Sequence, residues 1–180
     1  MFTHPLRLSL ITVFSLVLLA GCNQVDNAES SLASQTLEAD KMAQQAVPTL
    51  PDLELMTLEE RPARLSSYMG TPVVLNLWAT WCPPCRREMP VLEQAQTAFP
   101  DVAFVLVNQG ESAQQARAYL ESEGLNLTDV LLDPSSEAMR EMRTGGLPTT
   151  FFFDAQGRMV DLHLGEITMA DLESKISRHF

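Results

Sequence analysis

Val73-Val74-Leu75-Asn76-Leu77-Trp78 is a near-continuous strand-type run. Four residues after Trp78 comes Cys82-Pro83-Pro84-Cys85, and a helical stretch follows to about Phe99. An apolar run without alternation is what a strand buried on both faces requires. Cysteines three apart on the first turn of a helix stand about 5–6 Å from each other, a separation that suits a disulfide. Such a pair stores two electrons and exchanges them with another protein's disulfide. Its place after a buried strand is the carboxyl edge where open α/β sheets carry their chemistry.

With Cys82 as N-cap, Pro83, Pro84 and Cys85 are the first three helical positions. The two missing N–H groups are no loss there. The Cys85 N–H then points back at the Cys82 sulfur, and the helix dipole favours negative charge at that point. The Cys82 pKa is therefore expected below the ~8.5 of free cysteine. Cys82 becomes the attacking nucleophile, and Cys85, one turn deeper, the sulfur that resolves the mixed disulfide.

The 180 residues suffice for one domain with a core, but the first 46 read differently from the rest. Residues 1–20 carry one strong positive charge, Arg7, and no acid. Leu8 to Ala20 is almost wholly apolar, too short to span a bilayer comfortably and shaped like a signal-peptide core. Leu19-Ala20-Gly21-Cys22 resembles the lipobox of bacterial lipoproteins. That resemblance implies cleavage before Cys22 and lipid on its sulfur, which would anchor the chain stably. The alternative is a plain secretory signal with Cys22 as an ordinary thiol. Residues 22–46, polar and aperiodic, read as a tether, with a short helix conceivable near Leu37 to Ala46. The domain is expected over 47–180.

Of three cysteines, lipid would consume Cys22 and leave Cys82 and Cys85 as a pair in a disulfide-permissive compartment. His4, His163 and His179 do not complete a zinc ligand set, so no metal and no cofactor is expected. The net charge of −11 becomes −12 once Arg7 leaves with residues 1–21. A chain so acidic does not bind nucleic acid by neutralising phosphates, and its charge is read as serving solubility.

Along the domain, Glu54–Leu58 and Pro62–Leu65 read as a hairpin around Glu59-Glu60-Arg61, and Leu65–Met69 as one helical turn. The helix from Pro83 contains Pro90, which cannot donate to the Arg86 carbonyl and is expected to kink it. Val102–Val107 is a second buried-type strand, completing a βαβ unit. Ser112–Glu123 is a helix stopped by Gly124, and Val130–Leu132 is a short strand. Asp133-Pro134 looks like an N-cap with proline at the first helical position, opening a helix to about Met142. Thr149–Phe153 is a strand, and Asp154-Ala155-Gln156-Gly157 a turn. Val160, Leu162 and Leu164 alternate with Asp161 and His163, which predicts a strand whose charged residues face water. Thr168 to Asp171 is a capping box opening the last helix. His163 and His179 are read as surface residues, the methionines at 139, 142, 159 and 169 as core fillers.

The stretch Val73 to Pro90, with Trp81-Cys82-Pro83-Pro84-Cys85 at its centre, together with Gly146-Leu147-Pro148-Thr149-Thr150-Phe151, is similar to the signature of the TlpA/ResA-like branch of the thioredoxin superfamily. The resemblance covers roughly residues 47–180. It implies an α/β thioredoxin fold with an N-terminal β-hairpin and an inserted strand-helix unit, here within 112–142. It also implies an exported, membrane-anchored enzyme that exchanges thiols with disulfide-bearing proteins, usually reducing them, as with apocytochrome c cysteines before haem attachment. A membrane thiol-electron donor and a monomeric state go with that reading.

The resemblance makes Glu88, at i+3 from Cys85 on one helix face, the candidate acceptor of the Cys85 proton, against the plainer reading of an exposed helix glutamate. It makes Leu147-Pro148-Thr149 a cis-proline loop whose Leu147 backbone pairs with an extended client, against a trans proline ending a turn. Trp81, Pro83 and Pro84 would shape the docking surface, and Trp78 the core. Arg86 and Arg87 are either steering cations or solvated charges. One departure stands out: Asn76 occupies the position, six before the first cysteine, where thioredoxin itself has a buried acid. Two other functions compete: a thiol peroxidase of related fold, and a binding lipoprotein whose Cys82–Cys85 bond is only structural.

Overall fold

The computed structural model describes residues 48–180. The signal peptide, lipidation at Cys22, tether and short helix expected before them lie outside the described residues.

The first elements are strand β1 (Glu54–Thr57), strand β2 (Pro62–Arg64), a 3-10 turn (Leu65–Tyr68) and strand β3 (Val73–Trp78). Helix α1 (Pro83–Ala98), strand β4 (Ala103–Gln109), helix α2 (Ala113–Glu123) and strand β5 (Asp129–Asp133) follow. The chain closes with a short helix α3 (Glu137–Glu141), strands β6 (Thr149–Phe153) and β7 (Met159–Leu164), and helix α4 (Met169–His179). Seven strands form one mixed sheet in the order β2-β1-β5-β4-β3-β6-β7. β3, β4 and β5 run parallel; the other neighbours are antiparallel. This is a thioredoxin-like α/β fold with an N-terminal hairpin. The α2-β5-α3 segment falls within the span expected for an insertion, and β5 carries the hairpin through the Met56↔Leu132 pairing.

The buried runs alternate between two cores. Val74 and Trp78 of β3, Phe104 and Leu106 of β4 and Phe152 of β6 face α1, α2 and α4. Val73, Leu75 and Leu77, with Val105, Val107, Phe151 and Phe153, face the opposite layer of Leu65, Ala138 and the N-terminal leucines. That is why the sequence of β3 shows no alternation: both of its faces are dry. Pro90 lies inside α1, which continues through it to Ala98. Ser112 and Thr168 both form complete capping boxes, and Gly124 ends α2 at φ 68°.

Two expectations are corrected. Asp133 is the last residue of β5 rather than an N-cap. α3 begins later, after Ser136 in the left-handed region at φ 53°. The Asp133 carboxylate still supplies the cap from a distance, accepting from the N–H groups of Glu137 at 2.9 Å and Ala138 at 2.8 Å. Pro134 belongs to the intervening turn, because the carboxylate reaches the helix only if the chain first folds back.

In β7 the wet and dry faces are exchanged. An irregularity between Phe152 and Phe153 in the β6–β7 register leaves Val160 as an extra residue, and such a bulge resets the side-chain alternation. Asp161 then sits opposite Phe152 on the α4 face, where it pairs with Lys175 at 2.9 Å and His179 at 3.1 Å. Leu162 and Leu164 face outward, Leu164 with 69% of its surface exposed. His179 is consequently a partner of a half-buried acid rather than a free surface histidine.

Candidate active site

β3 ends at Trp78, and the chain must turn before α1 can begin. The Cys82 N–H donates to the Ala79 carbonyl at 3.2 Å, closing a tight turn with Thr80 and Trp81 at its centre. Cys82 is the N-cap of α1 in an extended conformation, with Pro83 and Pro84 on the first turn. The Cys85 N–H reaches the Cys82 sulfur at 3.3 Å. The two sulfurs are joined in a disulfide with Cα atoms 5.3 Å apart. Cys85 is completely buried and Cys82 is 3% exposed, so among the described residues the access that the bond has is on the Cys82 side. Reduction would leave the Cys82 sulfur at a helix N-terminus with a backbone donor aimed at it, a setting that favours the thiolate.

Glu88 lies one turn further along α1 and is fully buried. It accepts from Asn76 Nδ2 at 2.7 Å and from the Ile167 N–H at 2.8 Å. Burial pushes its carboxyl up to about 7, against the lowering effect of these two hydrogen bonds, and the charge of Glu166 adds to the rise. A carboxyl poised near neutrality takes and returns protons readily. Asn76 also donates to Thr150 Oγ1 at 3.0 Å. The amide standing in place of an acid thus holds the acid that α1 supplies. Asn76 and Glu88 each stand out in the sequence, but their contact does not. A lone amide in a strand dry on both faces is the signal that would have linked them.

The Leu147–Pro148 peptide is cis. The Leu77↔Thr149 register places Pro148 at the carboxyl end of β3, the end from which the cysteine turn emerges. Among the described residues, no loop hydrogen bond engages the Leu147 backbone. Beside it runs a shallow groove lined by Met142, Leu147, Pro148, Phe151, Leu162 and Leu164 among others. Trp81 is 68% exposed next to the disulfide, whereas Trp78 is buried against Tyr119 with ring centroids 5.7 Å apart.

Arg86 and Arg87 are not free cations. Arg86 pairs with Glu123 at 3.0 Å and lies over the Tyr119 ring. Arg87 pairs with Glu166 at 2.6 Å, tying α1 to the loop whose Ile167 N–H holds Glu88. Among the described residues, no three His, Cys, Asp or Glu side chains gather as metal ligands.

Residues 48–162 match the AhpC/TSA family. The thiol-disulfide oxidoreductase ResA of Geobacillus thermodenitrificans is 32% identical over 172 residues, 94% of each chain. A secreted Mycobacterium tuberculosis disulfide oxidoreductase, homologous to Escherichia coli DsbE, superposes with TM-score 0.62 at 26% identity over 71% of this chain and 96% of its own. The exposed lipoprotein thioredoxin Etrx1 of Streptococcus pneumoniae superposes with TM-score 0.60 at 27% identity, over 71% and 99%. With a disulfide at a helix start and a cis proline at the end of the adjoining strand, the chain belongs to the AhpC/TSA family, as a thioredoxin-like thiol-disulfide oxidoreductase.

Proposed function

We propose that this oxidoreductase is exported and lipid-anchored, and that it reduces protein disulfides, cytochrome c maturation being the process its resemblance suggests. The observation that carries the reading is the Cys82–Cys85 bond at the start of α1 with Glu88 buried on the same helix. In the reduced enzyme, the Cys82 thiolate attacks one sulfur of the client's disulfide. A Cys82–client bond forms, and the client's second sulfur leaves as a thiolate that takes up a proton. Cys85 gives its proton to Glu88 and attacks the Cys82 sulfur. The client leaves fully reduced and the Cys82–Cys85 disulfide is restored. A membrane thiol-electron donor then returns two electrons.

Trp81, Pro83, Pro84, Leu147 and Pro148 form the client surface, with an extended client segment pairing along the Leu147 backbone. Residues 1–21 serve as signal peptide, 22–46 as tether from lipidated Cys22, and 47–180 as a monomeric catalytic domain. Support comes from the apolar run Leu8 to Ala20 with Cys22 after it, and from relatives described as secreted or as a lipoprotein. Among the described residues, no helix is long and apolar enough to cross a membrane.

The test is Cys85→Ala in the native cell. It should trap clients on Cys82 as mixed disulfides that mass spectrometry identifies, while Cys82→Ala traps none. Two outcomes would overturn the proposal. In one, the reduced protein consumes peroxide far faster than it exchanges with disulfides. In the other, the bond resists strong dithiols in the native fold.

A further inference from the structure

We propose that Glu111 is a positioning residue for disulfide exchange: from the end of β4 it clamps the turn that carries Trp81 and the attacking sulfur. The inference rests on the reading of Cys82 as nucleophile.

Glu111 follows β4 and immediately precedes the Ser112 cap of α2. It is 5% exposed. One carboxylate oxygen accepts from the Thr80 N–H at 2.8 Å and from Asn108 Nδ2 at 2.7 Å; the other accepts from the Thr80 hydroxyl. Among the described residues these three donors are its partners, and none is a cation. Buried polar groups are kept in place by their hydrogen bonds, and two of these three come from one residue, Thr80.

That geometry concerns Thr80. The turn Ala79 to Cys82 uses the Cys82 N–H and the Ala79 carbonyl, which leaves the Thr80 N–H to find a partner elsewhere. Glu111 takes both the main-chain and the side-chain donor of this one residue, fixing its backbone and its rotamer together. The carboxylate is itself held between two built elements. Gly110, at φ 74°, turns the chain back at the end of β4 with its N–H on the Asp133 carbonyl at 2.9 Å. Ser112 and Gln115 lock the start of α2 by their capping box. Asn108 sits opposite Trp78 in the β3–β4 register. The clamp therefore joins the exits of the two central strands, and Trp81 and Cys82 are the next two residues along. A nucleophile displaced by a fraction of an ångström reacts markedly more slowly.

Two variants of the full chain separate geometry from charge: the isosteric Glu111→Gln and the truncating Glu111→Ala. Gln at 111 preserves the contacts: its oxygen accepts from Thr80 and Asn108, and its amide donates to the Thr80 hydroxyl. Glu111→Gln should therefore exchange with an insulin disulfide within about twofold of wild type. Glu111→Ala should lose about tenfold in exchange rate. The pH midpoint for iodoacetamide alkylation of reduced Cys82 should rise in Glu111→Ala and stay in place in Glu111→Gln. Removing a negative charge would on its own lower that midpoint. A fall in both variants would overturn positioning in favour of electrostatics, and an unchanged rate and midpoint in Glu111→Ala would overturn it outright. Should Glu111→Ala not fold, Thr80→Val removes only the hydroxyl arm: a loss of about threefold supports the clamp, and no loss overturns it. A wild-type protein inactive toward insulin would instead overturn the Cys82 reading, which keeps the two failures distinguishable.

Discussion

Glu88 is held in a dry place by two donors, and its proton affinity follows from that. The folded protein binds this proton with a pKa of about 7, against 4.5 for an ordinary glutamate. A raised carboxyl favours the folded state while protonated, so the contribution is complete below pH 4.5 and is lost as pH climbs to about 7. The difference is on the order of 3 kcal/mol. Glu88→Gln cannot titrate. In urea unfolding of the disulfide form, wild type should lose stability relative to the variant between pH 4.5 and 7, and the gap should be constant above that. Parallel curves across the window would remove the shift from the account. On the proposed role of Glu88 as acceptor of the Cys85 proton, the same substitution should slow exchange by about tenfold or more, measured as turnover on an insulin disulfide at pH 7. Asp161 shows the opposite sign. Burial works to raise it, but Lys175, the Leu162 N–H and His179 together hold it below the ordinary value of 3.8, so its contribution is present at neutral pH and disappears only in acid.

Among the elements, the short helix α3 depends on a residue outside it. Asp133 is almost fully buried and satisfies the N–H groups of Glu137 and Ala138. Asp133→Ala would orphan both, and chemical denaturation should show a loss of about 2 kcal/mol. Amide exchange at Ala138 should lose its protection, while exchange activity stays within about twofold because α3 lies outside the cysteine turn. In β7 the bulge makes a second testable difference. With its leucines outward, Leu164→Ser should change stability by no more than about 0.5 kcal/mol. A loss of several kcal/mol would restore the face assignment that simple alternation suggests. The capping boxes at Ser112 and Thr168 were legible because each is complete within four residues. The remote cap and the bulge were not, because each depends on a partner strand or a reversal of the chain.

For the molecule as a whole, the sheet is the common support of both halves of the site. β3 delivers the cysteines and β6 the cis proline, and their antiparallel pairing from Val73↔Phe153 to Leu77↔Thr149 brings the two to one end. Leu75, fully buried at the centre of that pairing, is the side chain to probe. Leu75→Ala should lower the unfolding free energy by 2–5 kcal/mol, as other buried leucines do. It should leave the alkylation rate of Cys82 in the folded fraction unchanged.

By itself the sequence determined whatever a few neighbouring residues can specify: the dry central strands, the sulfur pair at a helix start, the two capping boxes, and through its motifs the kind of enzyme. Only the tertiary structure decided which distant polar groups meet: Asn76 with Glu88, Thr80 with Glu111, Asp161 with Lys175 and His179. The physical reason is one of range. Helix caps and apolar runs gain their free energy from residues within a turn or a strand. A buried carboxylate finds its partner only after strand order, register and one bulge are settled by packing the whole core.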